Sequence, residues 1–235
     1  YSQMPSRYNR RTALQMVGSS VALALAGCAA NRDPEKSNES LNQTSTPVQE
    51  PITTDDFTFD IRVEKQFTDN HPARVHAALT NTTEMPMTLF TGATPPFTSY
   101  LSGGASDKNR LILIPNVSED KNPVNWMGET DPIPTTAENQ CWNVTQDVVI
   151  NLLGMSKKLD PGETSSQQYA VYGYQNETCL PPGTYRFNDN TTLHRGRPSK
   201  ETPTFGLKLG FTLTLNKEQS LSVKRHESTV SRHEH

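Results

Sequence analysis

"TFGLKLGFTLTLN", residues 204–216, places an apolar side chain at every second position. Side chains of an extended chain alternate between its two faces, so this period of two predicts a β-strand with one buried face. The alternation runs without a break from the first apolar residue of the segment to the last. Its apolar positions are Phe205, Leu207, Leu209, Phe211, Leu213 and Leu215.

Two upstream segments alternate in the same way, residues 57–65, FTFDIRVEK, and residues 73–81, ARVHAALTN. Turn signals such as DPGET and LPPGTY separate the apolar segments, and no amphipathic helical pattern longer than about 10 residues occurs. Roughly seven to nine short strands predict an all-β fold, an immunoglobulin-like antiparallel β-sandwich over residues 57–216, with a barrel as the alternative. The shorter candidate strands lie at residues 87–90, 111–114, 148–153, 168–174 and 184–187.

The composition is polar for a chain of this length. Of 235 residues, 33% are hydrophobic and 7% aromatic, and the mean hydropathy is −0.67. We therefore expect part of the chain to lie outside the packed domain. The net charge is −3, whereas nucleic-acid binding needs an excess of positive charge. We therefore expect no nucleic-acid partner.

The long apolar run of the chain is residues 9–31, NRRTALQMVGSSVALALAGCAAN. Arg10 and Arg11 precede an apolar segment, residues 12–27, that is too short for a hydrocarbon core needing about 20 apolar residues. A basic start, a modest apolar stretch and a small-residue end are typical of an export signal, and paired arginines are typical of the twin-arginine route. An ordinary amphipathic or core helix is the alternative.

The end of that run, LAGC at residues 25–28, resembles the lipobox of exported lipoproteins. The resemblance implies that residues 1–27 are a signal peptide and that Cys28 carries the lipid as the first mature residue. Two hydrocarbon chains on one protein give stable membrane binding. Residues 28–56 are polar and have no periodicity, so we expect a disordered tether after the lipidated cysteine.

The end of the chain, residues 217–235, is also polar and holds three of the six histidines. We expect this segment to be a disordered tail in solvent. Weak metal binding by the tail histidines is an alternative.

Residues 158–187, KLDPGETSSQQYAVYGYQNETCLPPGTYRF, look like two late strands of an extracellular immunoglobulin-like domain, each opened by a Pro-Gly turn. The whole domain resembles those of haloarchaeal lipoproteins. More loosely, it is similar to the immunoglobulin-like domain named for a bacillar intracellular proteinase inhibitor. The resemblance implies a protein of the cell membrane, lipid-anchored on its extracytoplasmic face. The mature chain is less acidic than proteins from saturated salt, which departs from the haloarchaeal pattern.

If Cys28 is lipidated, Cys141 and Cys179 remain, an even number in a compartment where disulfides persist. We therefore predict a disulfide between these two cysteines. A metal site or a reactive thiol pair is the alternative, although CxxC spacing and a neighbouring histidine are absent from the sequence.

Asn-x-Ser/Thr sequons are frequent in this Thr-rich chain and mark candidate glycosylation sites on exposed loops. A short sequon also occurs by chance, so each is a candidate only. The seven are Asn38, Asn42, Asn81, Asn116, Asn143, Asn176 and Asn190.

Local motifs for catalysis or cofactor binding are missing from the sequence. GxGxxG, P-loop, HExxH and GxSxG patterns do not occur, so we expect a non-catalytic protein with no cofactor and no metal. Blue copper would need a cysteine closely followed by histidine and methionine, which neither Cys141 nor Cys179 has. Acidic loops at Glu119-Asp120 and at Glu129 and Asp131 leave loop-bound calcium as an alternative.

Aromatic residues near the loops provide a candidate binding surface, namely Phe97, Tyr100 and Trp126. Residues 94–102, which hold Phe97 and Tyr100, and the region of Trp126 combine these aromatics with a proline-stiffened backbone, which lowers the entropic cost of recognition. Packing of Trp126 and Trp142 into the core is the alternative. The sequence thus predicts a membrane-anchored binding or structural domain whose partner is the membrane lipid through Cys28 and an envelope protein or glycan. A regulator of exported proteases and an enzyme without a local motif are the other two classes.

Overall fold

The computed structural model describes residues 51–103, 107–126, 131–137, 141–199 and 203–233. These residues form an antiparallel β-sandwich, which confirms the predicted fold class. The strands are β1 Phe57–Lys65, β2 Ala73–Asn81, β3 Met87–Thr91, β4 Arg110–Pro115, β5 Val124–Trp126, β6 Asn143–Val144, β7 Val148–Ile150, β8 Met155–Leu159, β9 Thr164–Tyr174, β10 Gly183–Arg195, β11 Thr204–Leu215, β12 Leu221–Arg225 and β13 Thr229–His233.

The first sheet has the strand order β1-β2-β9-β4, and the short β6 pairs in parallel with β9. The alternation of β1 and β2 sets their register, because Phe59 pairs with Leu79 and Ile61 pairs with Ala77 on the buried face. A slip by one residue would turn every one of these side chains to solvent.

The second sheet has the order β12-β11-β10-β3-β8. The segment quoted first is its central strand β11, which pairs along its length with β10. Phe211 of β11 stacks on Phe187 of β10, with ring centroids 5.1 Å apart, in the core between the sheets. The ring centroid of Phe97 lies 4.9 Å from that of Phe211 and 6.2 Å from that of Phe59. Phe97 therefore contacts both sheets.

Seven of the strands have the order and connectivity of an immunoglobulin fold. When β1, β2, β3, β4, β9, β10 and β11 are lettered A to G, the first sheet reads A-B-E-D and the second reads C-F-G, which is the constant-type order. Tyr185, near the start of β10, donates a hydrogen bond from its hydroxyl to the carbonyl oxygen of Pro181. This contact is the tyrosine corner typical of the fold, and β8 adds a further edge strand.

The prediction of a disordered tail at residues 217–235 is wrong for residues 221–225 and 229–233, which form β12 and β13. Both strands pair with β11, on the edge that β10 leaves open. Leu221 is buried, and its backbone N–H and carbonyl bond to the side chain of Gln66. A strand at a sheet edge needs few apolar residues, so its mean polarity resembles that of a tail.

The domain also begins earlier than predicted. Ile52 is buried in the core, and residues 54–56 form a 3₁₀ turn that leads into β1. The end of the segment predicted as a tether, residues 51–56, therefore belongs to the folded domain. The predicted signal peptide, Arg10, Arg11, Cys28 and the tether up to residue 50 lie outside the described residues. The described residues contain no helix long and apolar enough to cross a membrane.

Candidate functional site

The predicted binding loop connects β3 to β4, and its aromatic side chains point inward. Phe97 and Tyr100 are buried, so they are not an exposed binding surface, and that prediction is corrected. Phe97 fills the space between the sheets, and the Tyr100 hydroxyl is hydrogen-bonded to the Thr94 hydroxyl at 2.7 Å. Burial raises the pKa of Tyr100 to about 12.

Asp189 of β10 holds this loop from its inner side. Its carboxylate Oδ2 accepts hydrogen bonds from the backbone N–H of Thr98 and from the Thr98 hydroxyl, the latter at 3.1 Å. Its Oδ1 accepts from the backbone N–H of Asn190 at 2.8 Å. Tyr169 supports the same loop by donating its hydroxyl to the carbonyl of Phe97. Burial raises the pKa of Asp189, and the bonds from Thr98 partly oppose this effect.

The two tryptophans differ in position. Trp142 is buried, donates its indole N–H to the Thr68 carbonyl at 2.7 Å and meets the Tyr172 ring edge-on. Trp142 is therefore a core residue, as the alternative to an exposed binding surface predicted. Trp126 is half-buried on β5 and pairs with Val148 of β7, so part of its side chain remains at the surface.

Two depressions lie side by side on the outer face of the second sheet. The first is a cleft of about 330 Å³ at the end of β3, lined among others by Phe90, Thr98 and Leu152. The second is a groove of about 520 Å³ along β10 and β11. Asn190 lines both of them. We call this surface the Asn190 face, defined by Phe90, Asn188, Asn190, Lys208 and His226.

Gly210 lies in the groove, where two polar side chains approach its backbone closely. A Cβ atom at this position would lie 2.8 Å from His226 Nδ1 and 3.0 Å from Asn188 Oδ1. Only a glycine lets these two polar side chains approach the strand from either side. Gly210 thus contributes backbone to the groove, and Asn188 and His226 contribute polar side chains.

His226 forms one wall, with Nε2 2.7 Å from the Thr212 hydroxyl oxygen. Its pKa is lowered by partial burial and by the positive charges of Arg186 and Lys224. The imidazole is therefore neutral at pH 7. A neutral ring both donates and accepts hydrogen bonds.

The Asn190 face combines an aromatic ring with several groups that form hydrogen bonds. Two amides and a neutral imidazole both donate and accept hydrogen bonds, Lys208 adds a cation, and Phe90 is an exposed aromatic ring. Within the described ranges, no group of three or more His, Cys, Asp or Glu residues could hold a metal ion. Of the acidic residues that left calcium as an alternative, Glu129 lies outside these ranges.

The predicted disulfide is confirmed, since Cys141 and Cys179 are bonded, with Cα atoms 5.4 Å apart. It links the residue before Trp142 to the connection between β9 and β10. Such a bond indicates an oxidising, extracytoplasmic environment.

The structure corrects two of the seven candidate glycosylation sites. Asn81 is fully buried, and its Nδ2 donates to the carbonyls of Met85 and Leu159. Asn176 is buried as well and bonds to both backbone groups of Arg110. Neither amide nitrogen is free to carry a sugar in the folded domain. Of the other sites, Asn116 and Asn190 are exposed, Asn143 is half-buried, and Asn38 and Asn42 lie outside the described residues.

Sequence reasoning missed the Asn190 face. The signal was present in RFNDN, residues 186–190, where polar residues alternate with Phe187 and the inward Asp189. His226 falls in the segment predicted as a tail, and only the pairing of β12 with β11 brings it beside Gly210.

Comparisons with protein families, with characterised proteins and with solved structures found no match to this chain.

Proposed function

We propose that this protein is a lipid-anchored extracytoplasmic binding protein, without catalytic activity, that holds a glycan of the cell envelope at the Asn190 face. The observation that carries the ligand class is the groove itself, which is lined by the amide side chains of Asn188 and Asn190 and by the backbone of Gly210. Sugar hydroxyls donate and accept hydrogen bonds, and amide side chains match both roles.

Phe90 supports the same ligand class. Its ring is half exposed beside the cleft that adjoins the groove. A pyranose has an apolar face of C–H groups that packs against an aromatic ring, while its hydroxyls reach polar neighbours. Binding sites combine such apolar contacts with a few placed polar groups.

The location rests on the N-terminal pattern and on the disulfide. Arg10 and Arg11 precede the apolar run, the LAGC sequence ends it at Cys28, and Cys141 and Cys179 are bonded. An exported protein meets the oxidising conditions that such a bond requires.

The anchor is tested by fractionating cells of the organism that produces the protein. We expect the wild-type chain in the membrane fraction, accessible to added protease from outside, and a Cys28→Ser variant released from it. Arg10→Lys with Arg11→Lys serves as the export control and should leave the chain inside the cell. A Cys28→Ser variant that stays on the membrane like the wild type would refute the lipid anchor.

The ligand class is tested by titrating the purified protein with size-fractionated envelope polysaccharides. Asn188→Ala with Lys208→Ala should weaken binding by about tenfold or more, since each lost hydrogen bond contributes about 1 kcal/mol. The matched control is Thr214→Ala, an exposed position of β11 outside the groove. Equal binding by the variant and the wild type would exclude the groove. If the purified protein binds an envelope protein and no polysaccharide, the ligand is that protein and the glycan proposal is wrong.

A further inference from the structure

The connection between β7 and β8 exposes an unusual amount of apolar surface. Leu152 is 87% exposed and Leu153 is 66% exposed, and they are flanked by exposed Val149 and Met155. Phe90 lies next to them. We call residues 149–155 the leucine loop. Soluble proteins rarely leave adjacent large apolar side chains in water unless a partner covers them.

The leucine loop is held in place rather than free. The backbone N–H of Asn151 donates to the Pro123 carbonyl at 2.7 Å, and Asn151 Oδ1 accepts from the backbone N–H of Leu153 at 3.1 Å. The backbone at Gly154 packs on the Phe90 ring, because a Cβ there would lie 2.5 Å from Phe90 Cζ. The two leucines are therefore presented at small additional cost in conformational entropy.

The leucine loop itself carries no charge that would oppose its burial in an apolar phase. Residues 148–156, VVINLLGMS, contain no ionisable side chain. The first cation after them, Lys157, is paired with Glu163 at 3.1 Å. Burial of this segment therefore does not include the large cost of desolvating an unpaired charge.

The predicted tether can bring the leucine loop to the membrane that holds Cys28. The domain begins beside Arg195, whose guanidinium donates to the Pro51 carbonyl at 3.4 Å. Arg195 pairs with Met87 at one end of β3, while Met155 pairs with Thr91 at the other end. That separation of four residues is about 13 Å along the strand.

A random coil with as many residues as lie between Cys28 and Pro51 would have a root-mean-square span of roughly 26 Å, which exceeds this separation. Linkage through a tether of this length gives an effective concentration in the millimolar range. A weak loop–lipid contact is then occupied for much of the time. A second copy of the chain is a poorer occupant, because two protruding leucines are a small part of the roughly 800 Å² per partner of a stable interface.

We propose that Leu152 and Leu153 insert into the acyl-chain boundary of the membrane to which Cys28 is anchored. The inserted loop holds the sandwich against the lipid surface in one orientation. This inference rests on the proposed lipid anchor, and the test below separates the two.

The test uses the full lipidated chain in phosphatidylcholine vesicles whose acyl chains carry bromine, a short-range quencher of tryptophan emission. Leu152→Trp adds a reporter at the loop tip, and Met85→Trp adds one at the exposed methionine outside the loop. We expect bromine to quench the added emission of Leu152→Trp about twofold or more and to leave that of Met85→Trp unchanged. Leu153→Asp in the Leu152→Trp background should abolish the quenching.

Flotation of the vesicles reports the anchor independently. Protein that floats with vesicles while its Leu152→Trp emission is unquenched overturns the loop insertion and leaves the anchor intact. If the chain does not float, the anchor fails. The loop is then tested with the Cys28→Ser chain in excess vesicles, where quenching supports insertion and its absence overturns it. A concentration-dependent blue shift of Leu152→Trp without vesicles would assign the loop to a second copy and overturn the lipid proposal.

Discussion

Asp189 shows how one buried carboxylate shapes this domain. It lies on the inward face of β10, and the structure gives it no ion-pair partner among the described residues. Backbone and hydroxyl donors of Thr98 and Asn190 stabilise its charge instead. The carboxylate thus fixes the β3–β4 loop from within.

Replacement of Asp189 by alanine should lower the free energy of unfolding by about 2–4 kcal/mol, because several buried N–H and O–H donors lose their acceptor. Urea unfolding followed by tryptophan emission measures the change. Asn188→Ala is the control, since that neighbouring side chain faces solvent and should alter stability by less than about 0.5 kcal/mol. Equal effects of the two variants would rule out the role given to Asp189.

The raised pKa of Asp189 also predicts a pH dependence. The folded state binds this proton more tightly than the unfolded state does. The contribution of the carboxyl group to the free energy of unfolding therefore falls as the pH rises. The fall begins near the ordinary pKa of 3.8 and continues through the raised pKa of the folded state. We expect the wild type to lose stability relative to Asp189→Asn across that window. Unfolding midpoints of both proteins, measured from pH 3 upward, check this, and parallel pH profiles would contradict it.

Burial separates the sequons into those open to glycosylation and those closed to it. We expect Asn81 and Asn176 to be unmodified in the native protein, because their amide nitrogens are hydrogen-bonded inside the fold. Asn116 and Asn190 are the exposed sequon positions within the part of the chain that the structure describes. Mass spectrometry of native peptides measures the occupancy. A sugar on Asn81 or Asn176 would be incompatible with the packing described.

The last two strands, β12 and β13, close the open edge of β11. Their sequence is polar, yet Leu221 and the partly buried Val230 pack against the core. Tertiary pairing thus turns a segment with a weak pattern of its own into part of the sheet.

Leu221→Ala should lower the free energy of unfolding by about 2–4 kcal/mol, the usual cost of a cavity at a buried leucine. The neighbouring Ser222→Ala is exposed on the opposite side of β12 and should be nearly neutral. Thermal and urea unfolding of both variants measure the difference. A neutral Leu221→Ala would mean that residues 217–235 form the tail that their polarity predicts.

The sequence of the β3–β4 loop predicts its secondary structure but not the direction of its side chains. Its Pro-rich sequence predicts a loop correctly, but composition does not reveal on which side the aromatic rings lie. Phe97 is drawn inward by Phe59 and Phe211, residues far away in sequence. Among the described residues, the most exposed large apolar side chains are instead in the leucine loop, where the sequence predicts another short strand.

The disulfide ties the edge of the first sheet to the entrance of β10. Its cysteines are 38 residues apart. Restriction of a loop of that length in the unfolded chain predicts a stabilisation of about 4 kcal/mol. Cys141→Ser with Cys179→Ser should therefore lower the free energy of unfolding by up to that amount.

The measurement is urea unfolding with and without a thiol reductant. Reductant should destabilise the wild type to about the level of the double variant and leave the double variant unchanged. Equal stability of oxidised and reduced wild type would show that the bond does not contribute to folding stability.

The sequence by itself determined the strand character, the sandwich class and the cysteine pair. The first two rest on local alternation, because a period of two specifies a buried face wherever the partner strand lies. The cysteine pair follows from the even number of cysteines that remains once Cys28 is assigned to the lipid. The tertiary structure alone decided the positions of Asn190, Gly210 and His226 on one surface, the inward turn of Phe97 and the pairing of the last strands. Those features depend on contacts between residues far apart in the chain, and no local pattern encodes which strands become neighbours.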